Sequence, residues 1–188
     1  MLRKLGIGIM AAAAIVTLSS APGATAAPAP APERVAATTL YYDDSQAGEF
    51  KDAVAAGAEQ WNSTVENVTL VRAPAGTRAE IRIIADDGWP RATLGPVRPG
   101  GSATVWFGRQ AVVQGYDTTR IAAHELGHSL GLPDMKPGPC SSLMSGSTGG
   151  VNCTNATPNA TEQARVEANY GFAASRIPMD GRIIVDAP

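Results

Sequence analysis

From Phe50 onward the apolar positions fall at helical spacing: Phe50, Val54, Ala58, Trp61 and Val65, with Lys51, Asp52, Glu59 and Gln60 between them. The pattern predicts an amphipathic helix over about 47–63, with Trp61 in its buried stripe. Before it, residues 38–42 are rich in β-formers and read as a strand. Asp43-Asp44-Ser45 should end that strand and cap the helix. After it, 68–71 reads as a second strand and 79–85 as a third, where Ile81 and Ile83 alternate with Glu80 and Arg82. Asp86-Asp87-Gly88 is a turn signal. Residues 91–97 lie between Pro90 and Pro96; proline is seldom found in a sheet centre, so this stretch reads as a short edge strand or a loop. Residues 103–107 form a further strand. A second helical stretch carries Ile121, Leu126 and Leu130 toward the core, with Asp117 or Thr118 as its N-cap. Thr157-Pro158 opens a final helix over about 159–170, with Ala164, Val166 and Tyr170 as packing residues, and 182–185 is strand-like. The order predicts an α+β fold: a mixed sheet with two helices packed against it, then an irregular C-terminal subdomain with one helix.

The N-terminus carries a different pattern. Arg3 and Lys4 precede a small apolar run, and Ala24-Thr25-Ala26 offers a cleavage site, so residues 1–26 read as a signal peptide. The run is shorter than the ~20 residues that span a bilayer, which predicts no membrane association once it is removed. Residues 27–37, rich in Ala-Pro pairs, read as a short pro-peptide or spacer. Residues 38–173 are then expected to form one domain, and 174–188 a tail with no assigned role. A hydrophobic share of 44% argues against disorder, and a net charge of -2 offers no electrostatic footprint for nucleic acid. Cys140 and Cys153 are an even pair in a chain marked for export, which favours a disulfide over free thiols.

Chemistry concentrates at His124-Glu125-Leu126-Gly127-His128, followed by Gly131 and Asp134. His124 and His128, the only histidines, are four apart and share one face of a helix, where two imidazoles can reach a single metal ion. Gly131 can adopt positive φ, end the helix and turn the chain so that Asp134 reaches the same ion. Three protein ligands leave a fourth position open, the layout of a catalytic zinc site, with Glu125 placed to serve as its general base. No third histidine remains for a serine-type triad.

The run H-E-x-x-H-x-x-G-x-x-D, followed by Leu143-Met144-Ser145-Gly146, resembles the metzincin clan of zinc endopeptidases. An aspartate as third ligand is similar to the snapalysin family of small secreted bacterial neutral proteases. Tyr41-Tyr42-Asp43, Trp61-Asn62-Ser63, Leu132-Pro133-Asp134, Gly138-Pro139-Cys140-Ser141 and Cys153-Thr154-Asn155 extend the likeness over most of 38–173. The resemblance implies a twisted metzincin-like sheet and a secreted, monomeric enzyme acting on proteins or peptides, with a preference for aromatic residues just after the scissile bond. It implies zinc on His124, His128 and Asp134, Glu125 as the catalytic residue, and Met144 as the methionine turn beneath the metal. It also implies pairing of Cys140 with Cys153, and a structural calcium at Asp117 and Thr119. Where the family carries a tyrosine two residues after the third ligand, this chain has Lys136, the candidate replacement helper at the reacting carbonyl; the other reading turns Lys136 to solvent before Pro137. The competing class is an inactive secreted zinc protein that binds a protein partner. Such proteins usually lose a ligand or the catalytic carboxylate, and this chain keeps all four residues.

Overall fold

The computed structural model describes residues 36–171 and 177–188, so residues 1–26, read as a signal peptide, and nearly all of the 27–37 segment lie outside the described residues. The first strand, β1 (Thr38–Gln46), is longer than its β-formers suggest. Asp43-Asp44-Ser45 does not end it or cap a helix: Ser45 N donates to Asp43 Oδ1 within the strand, and the pairing slips in register between Asp43 and Gln46. A short 3₁₀ turn, Gly48–Phe50, leads into α1 (Lys51–Asn62), and neither carries a side-chain cap. β2 (Val68–Arg72), β3 (Ile81–Asp86), β4 (Arg91–Thr93) and β5 (Ala103–Gly108) follow, then α2 (Arg109–Val113), α3 (Thr118–Ser129), α4 (Ala160–Tyr170) and β6 (Ile183–Val185).

The sheet order is β2-β1-β3-β5-β4-β6. The pairs among β1, β2, β3 and β5 are parallel, and β4 runs antiparallel to both β5 and β6. β4 is therefore not the edge strand its prolines suggested, because the tail strand β6 covers its outer side. Those prolines escape the ladder, since β4 starts after Pro90 and ends before Pro96. The short α2 was not anticipated; it exposes Val113 and offers no apolar stripe to read.

Helices α1 and α3 pack against each other and the sheet. Gly57 permits the contact, because a Cβ there would stand 2.7 Å from both Ala122 Cβ and Ala123 N. Trp61 is fully buried between them, and its indole N–H donates to Ala123 O at 2.8 Å. Leu40, Ile81, Ile83, Val105 and Phe107 from the sheet share one core with Ile121 and Leu126 of α3 and with Leu130 at its C-terminal end. Each such burial contributes about 1.5–3 kcal/mol. In α4 the buried row is Glu162, Val166 and Tyr170, at four-residue spacing, while Ala164 lies off that row and is exposed. Asn159 and Glu162 close a capping box at the start of this helix.

Candidate active site

Asp117 is the N-cap of α3, accepting from Arg120 N at 2.7 Å. The helix then carries His124, Glu125 and His128 into the interior, where all three are buried. The imidazoles stand edge to face with centroids 4.6 Å apart. His124 Nδ1 lies 3.0 Å from Leu143 O, and His128 Nδ1 lies 2.7 Å from Leu132 O. A carbonyl can only accept, so both Nδ1 atoms carry a proton and both Nε2 atoms face the site.

The helix ends at Gly131, with φ at 95°. Gly131 N and Leu132 N donate back to His128 O and Gly127 O, satisfying the last carbonyls as a glycine C-cap does. Beyond the turn, Asp134 Oδ1 lies 3.3 Å from His124 Nε2 and 3.5 Å from His128 Nε2. His124, His128 and Asp134 thus offer three ligand atoms within 4.8 Å of one another. His124 Nε2, His128 Nε2, Asp134 Oδ1 and both carboxylate oxygens of Glu125 are buried without a hydrogen-bond partner. Buried polar atoms are costly when unpartnered. Two imidazole lone pairs and a carboxylate oxygen converging on one point are a donor set that a divalent cation satisfies, so these residues fit a zinc ion.

The electrostatics agree. Burial opposes charge on His124, but Asp186, Asp134 and Glu125 outweigh it and hold its pKa up at about 9. His128, buried beside His124, is pushed down. Burial raises Asp134, and the two histidines beside it outweigh that and bring it well below the usual carboxylate range. Burial raises Glu125 well above it. The pocket is one that favours added positive charge.

Met144 is buried beneath α3, and a Cβ on Gly127 would come 2.7 Å from its sulfur. Its loop is held by two buried residues that sequence reasoning missed. Glu162 accepts from Ser142 Oγ at 2.6 Å, Met144 N at 2.9 Å and Leu143 N at 3.2 Å. Arg120 donates to Asn155 O, Ser142 O and Ser145 Oγ. Capping boxes are readable in a sequence, and Asn159 followed by Glu162 fits one; nothing in the residue pattern marks Arg120. Cys140 and Cys153 form a disulfide across the same region.

Lys136 does not turn to solvent. Its ammonium pairs with Asp186, donates to Ala187 O at 3.0 Å and lies 3.8 Å from Asp134 Oδ2. Asp186, in the tail, is a third residue missed: it reaches the site from the far end of the chain, with Oδ1 3.9 Å from His124 Nε2. Among the described residues, His124, Glu125 and Asp186 make up the second set of three donors. Asp117 and Thr119 stand at the first turn of α3 and belong to neither set, although Asp117 lines a small pocket with His124 and Asp186.

A family model described as Streptomyces extracellular neutral proteinase (M7) matches residues 37–173. The chain belongs to that family. It is 40% identical over 146 residues to the extracellular small neutral protease of Streptomyces lividans, covering 77% of this chain and 63% of that protein. It is 41% identical over 146 residues to the protein of the same name from Streptomyces sp. (strain C5), covering 77% and 62%. The Streptomyces caespitosus protein of that name is 42% identical over 130 residues, which cover 69% of this chain and 95% of the relative. The chain thus spans less than two thirds of the first two relatives. Among solved structures, high choriolytic enzyme 1, a hatching enzyme zinc-protease from the medaka fish Oryzias latipes, matches with a TM-score of 0.50 and 16% identity, covering 72% of this chain and 90% of that one. That likeness concerns the fold. The family match ends at residue 173, before β6 and Asp186. No helix among the described residues is long and apolar enough to cross a membrane.

Proposed function

We propose that this protein is a secreted zinc-dependent endopeptidase. The observation that carries the reading is the convergence of His124 Nε2, His128 Nε2 and Asp134 Oδ1 as buried, unpartnered donors. Family membership and relatives named as extracellular neutral proteases support it. A zinc ion held by His124, His128 and Asp134 supplies Lewis acidity, polarising a peptide carbonyl and making a water easier to deprotonate.

The remaining chemistry belongs to the chain. Glu125, next to the first ligand and raised by burial, accepts the proton of the attacking water and passes it to the departing amine. The carbonyls of Leu143 and Leu132 fix both imidazoles, and Met144 closes the floor against water. Asp134, a carboxylate where a third imidazole is usual in the clan, leaves the metal somewhat less electrophilic. Lys136 sits where the family resemblance implies a tyrosine and supplies a cationic donor for the carbonyl oxygen as charge develops. The aromatic preference after the scissile bond, the monomeric state and a calcium at Asp117 and Thr119 rest on the family resemblance.

The test is digestion of casein and a peptide library by the zinc-loaded protein, intact and after removal of residues 177–188. Cleavage that a chelator stops and zinc restores, with aromatic residues enriched just after the cut, is expected. Undigested substrate with both zinc-loaded, folded forms contradicts the reading and favours a partner-binding role.

A further inference from the structure

Residues 181–186 bond along the outer side of β4, in an extended course that ends beside the metal helix. β6 extends the sheet at β4, pairing Arg91 with Val185, Ala92 with Ile184 and Thr93 with Ile183. The attachment continues past the strand: Leu94 N donates to Arg182 O at 2.7 Å, Gly181 N to Leu94 O at 2.8 Å and Asp186 N to Pro90 O at 2.8 Å. The residues just after β4 are bonded to the metal helix, Gly95 N to His128 O at 2.8 Å and Val97 N to Ser129 O at 2.9 Å. The side of β4 that β6 covers is therefore the sheet edge next to the candidate metal ligands. An extended chain adding a strand there takes its affinity from main-chain hydrogen bonds, so the edge would accept a peptide substrate as it accepts β6.

At the end of β6 the chain delivers a carboxylate. Asp186 is buried, 5% exposed. Ser147 N donates to its Oδ1 at 3.0 Å, and the Lys136 ammonium pairs with it. Its ligand atom lies within 4.8 Å of those of His124 and Glu125. The niche depends on Gly146, at φ 51°, because a Cβ there would stand 2.1 Å from Asp186 Oδ1 and 2.9 Å from His124 Cε1. Ala187 O is held in turn by Ser147 Oγ at 3.0 Å and Lys136 Nζ at 3.0 Å. Nothing about a surface tail requires a buried acid, a matching lysine and a glycine niche beside His124 and Glu125.

We propose that Asp186 is a further ligand of the active-site metal, closing its open side, and that residues 180–187 occupy the peptide-binding edge of β4 as an internal competitor. The metal assignment rests on the zinc reading above. Docked, the segment excludes water and substrate and holds Lys136 through Asp186 and Ala187. Released, it opens the metal, frees Lys136 and exposes the β4 edge together. Tethering gives a short internal segment an effective concentration of about millimolar, so a weak strand suffices to block the cleft.

The experiment uses the full chain with cobalt(II) in place of zinc, because cobalt absorption reports the ligand set without reference to activity. Asp186→Asn keeps the shape and the hydrogen bond from Ser147 N, and is expected to change the cobalt spectrum and weaken zinc affinity on the order of tenfold. In a second form, a recognition site for a sequence-specific protease replaces residues 172–176. Cutting the folded protein and diluting away residues 177–188 is expected to change the cobalt spectrum, let azide bind the cobalt, and raise kcat/KM on a peptide at least tenfold. A cobalt spectrum of Asp186→Asn identical to the parent's overturns the ligand assignment. Unchanged kcat/KM after release of the segment overturns the competitor. A changed spectrum with no hydrolysis in any form supports the ligand and counts against the peptidase reading instead.

Discussion

Lys136 stands where the family resemblance implies a tyrosine, and its surroundings define what it does. The ammonium is shared between Asp186 and Ala187 O, close to Asp134 Oδ2. A cation at this spot offsets part of the negative charge that Asp134, Glu125 and Asp186 bring together. In the chain freed of residues 177–188, Lys136→Met should lower kcat by about 10²–10³ with a small change in KM, as expected for a donor used only in the transition state. Lys136→Tyr should recover part of that loss. Parental kcat/KM in Lys136→Met would leave the metal as the sole stabiliser of the oxyanion. At this scale the zinc donors and Glu125 could be read from the sequence, because spacing on one helix and one glycine turn determine where they point. Asp186 could not, because its position depends on a strand pairing between residues far apart in the chain, Arg91 with Val185 and Thr93 with Ile183.

At the scale of elements, the methionine loop and α4 act as one unit through Glu162. That carboxylate caps its own helix, accepting from Asn159 N at 2.7 Å, and accepts from Ser142, Leu143 and Met144 of the loop. Hydrogen bonds to a charged group are worth about 1.5–3 kcal/mol each and are not additive. Glu162→Ala should therefore cost about 2–4 kcal/mol in urea unfolding and weaken zinc binding, since Leu143 O also orients His124. A melting curve and zinc affinity equal to the parent's would show that the loop holds itself. Helices α1, α3 and α4 were legible because their apolar rows have helical period. Hydrophobicity alone points to Ala164 and away from Glu162; a buried acid with four partners inverts that rule. The end of β1 was misplaced for a related reason. Asp43 and Ser45 satisfy each other inside the strand, so a turn-like composition does not end it.

For the whole molecule, the mixed sheet and the two packed helices followed from the order of elements. The place of β4 did not, since a strand of three residues gives little pattern and its outer neighbour comes from the tail. That neighbour joins the last described residues to the metal site, so the sheet that supports α3 also carries the segment that covers it. The central claim is narrower: His124, His128 and Asp134 hold a zinc ion that Glu125 uses for hydrolysis. The most direct measurement is zinc content together with peptide hydrolysis for Glu125→Gln, with His128→Ala as the metal-free control. The account predicts that Glu125→Gln keeps equimolar zinc and the parental fold while its rate falls by about 10²–10⁴, and that His128→Ala loses the zinc. A Glu125→Gln protein that hydrolyses peptides at the parental rate, or that folds normally without zinc, would contradict it.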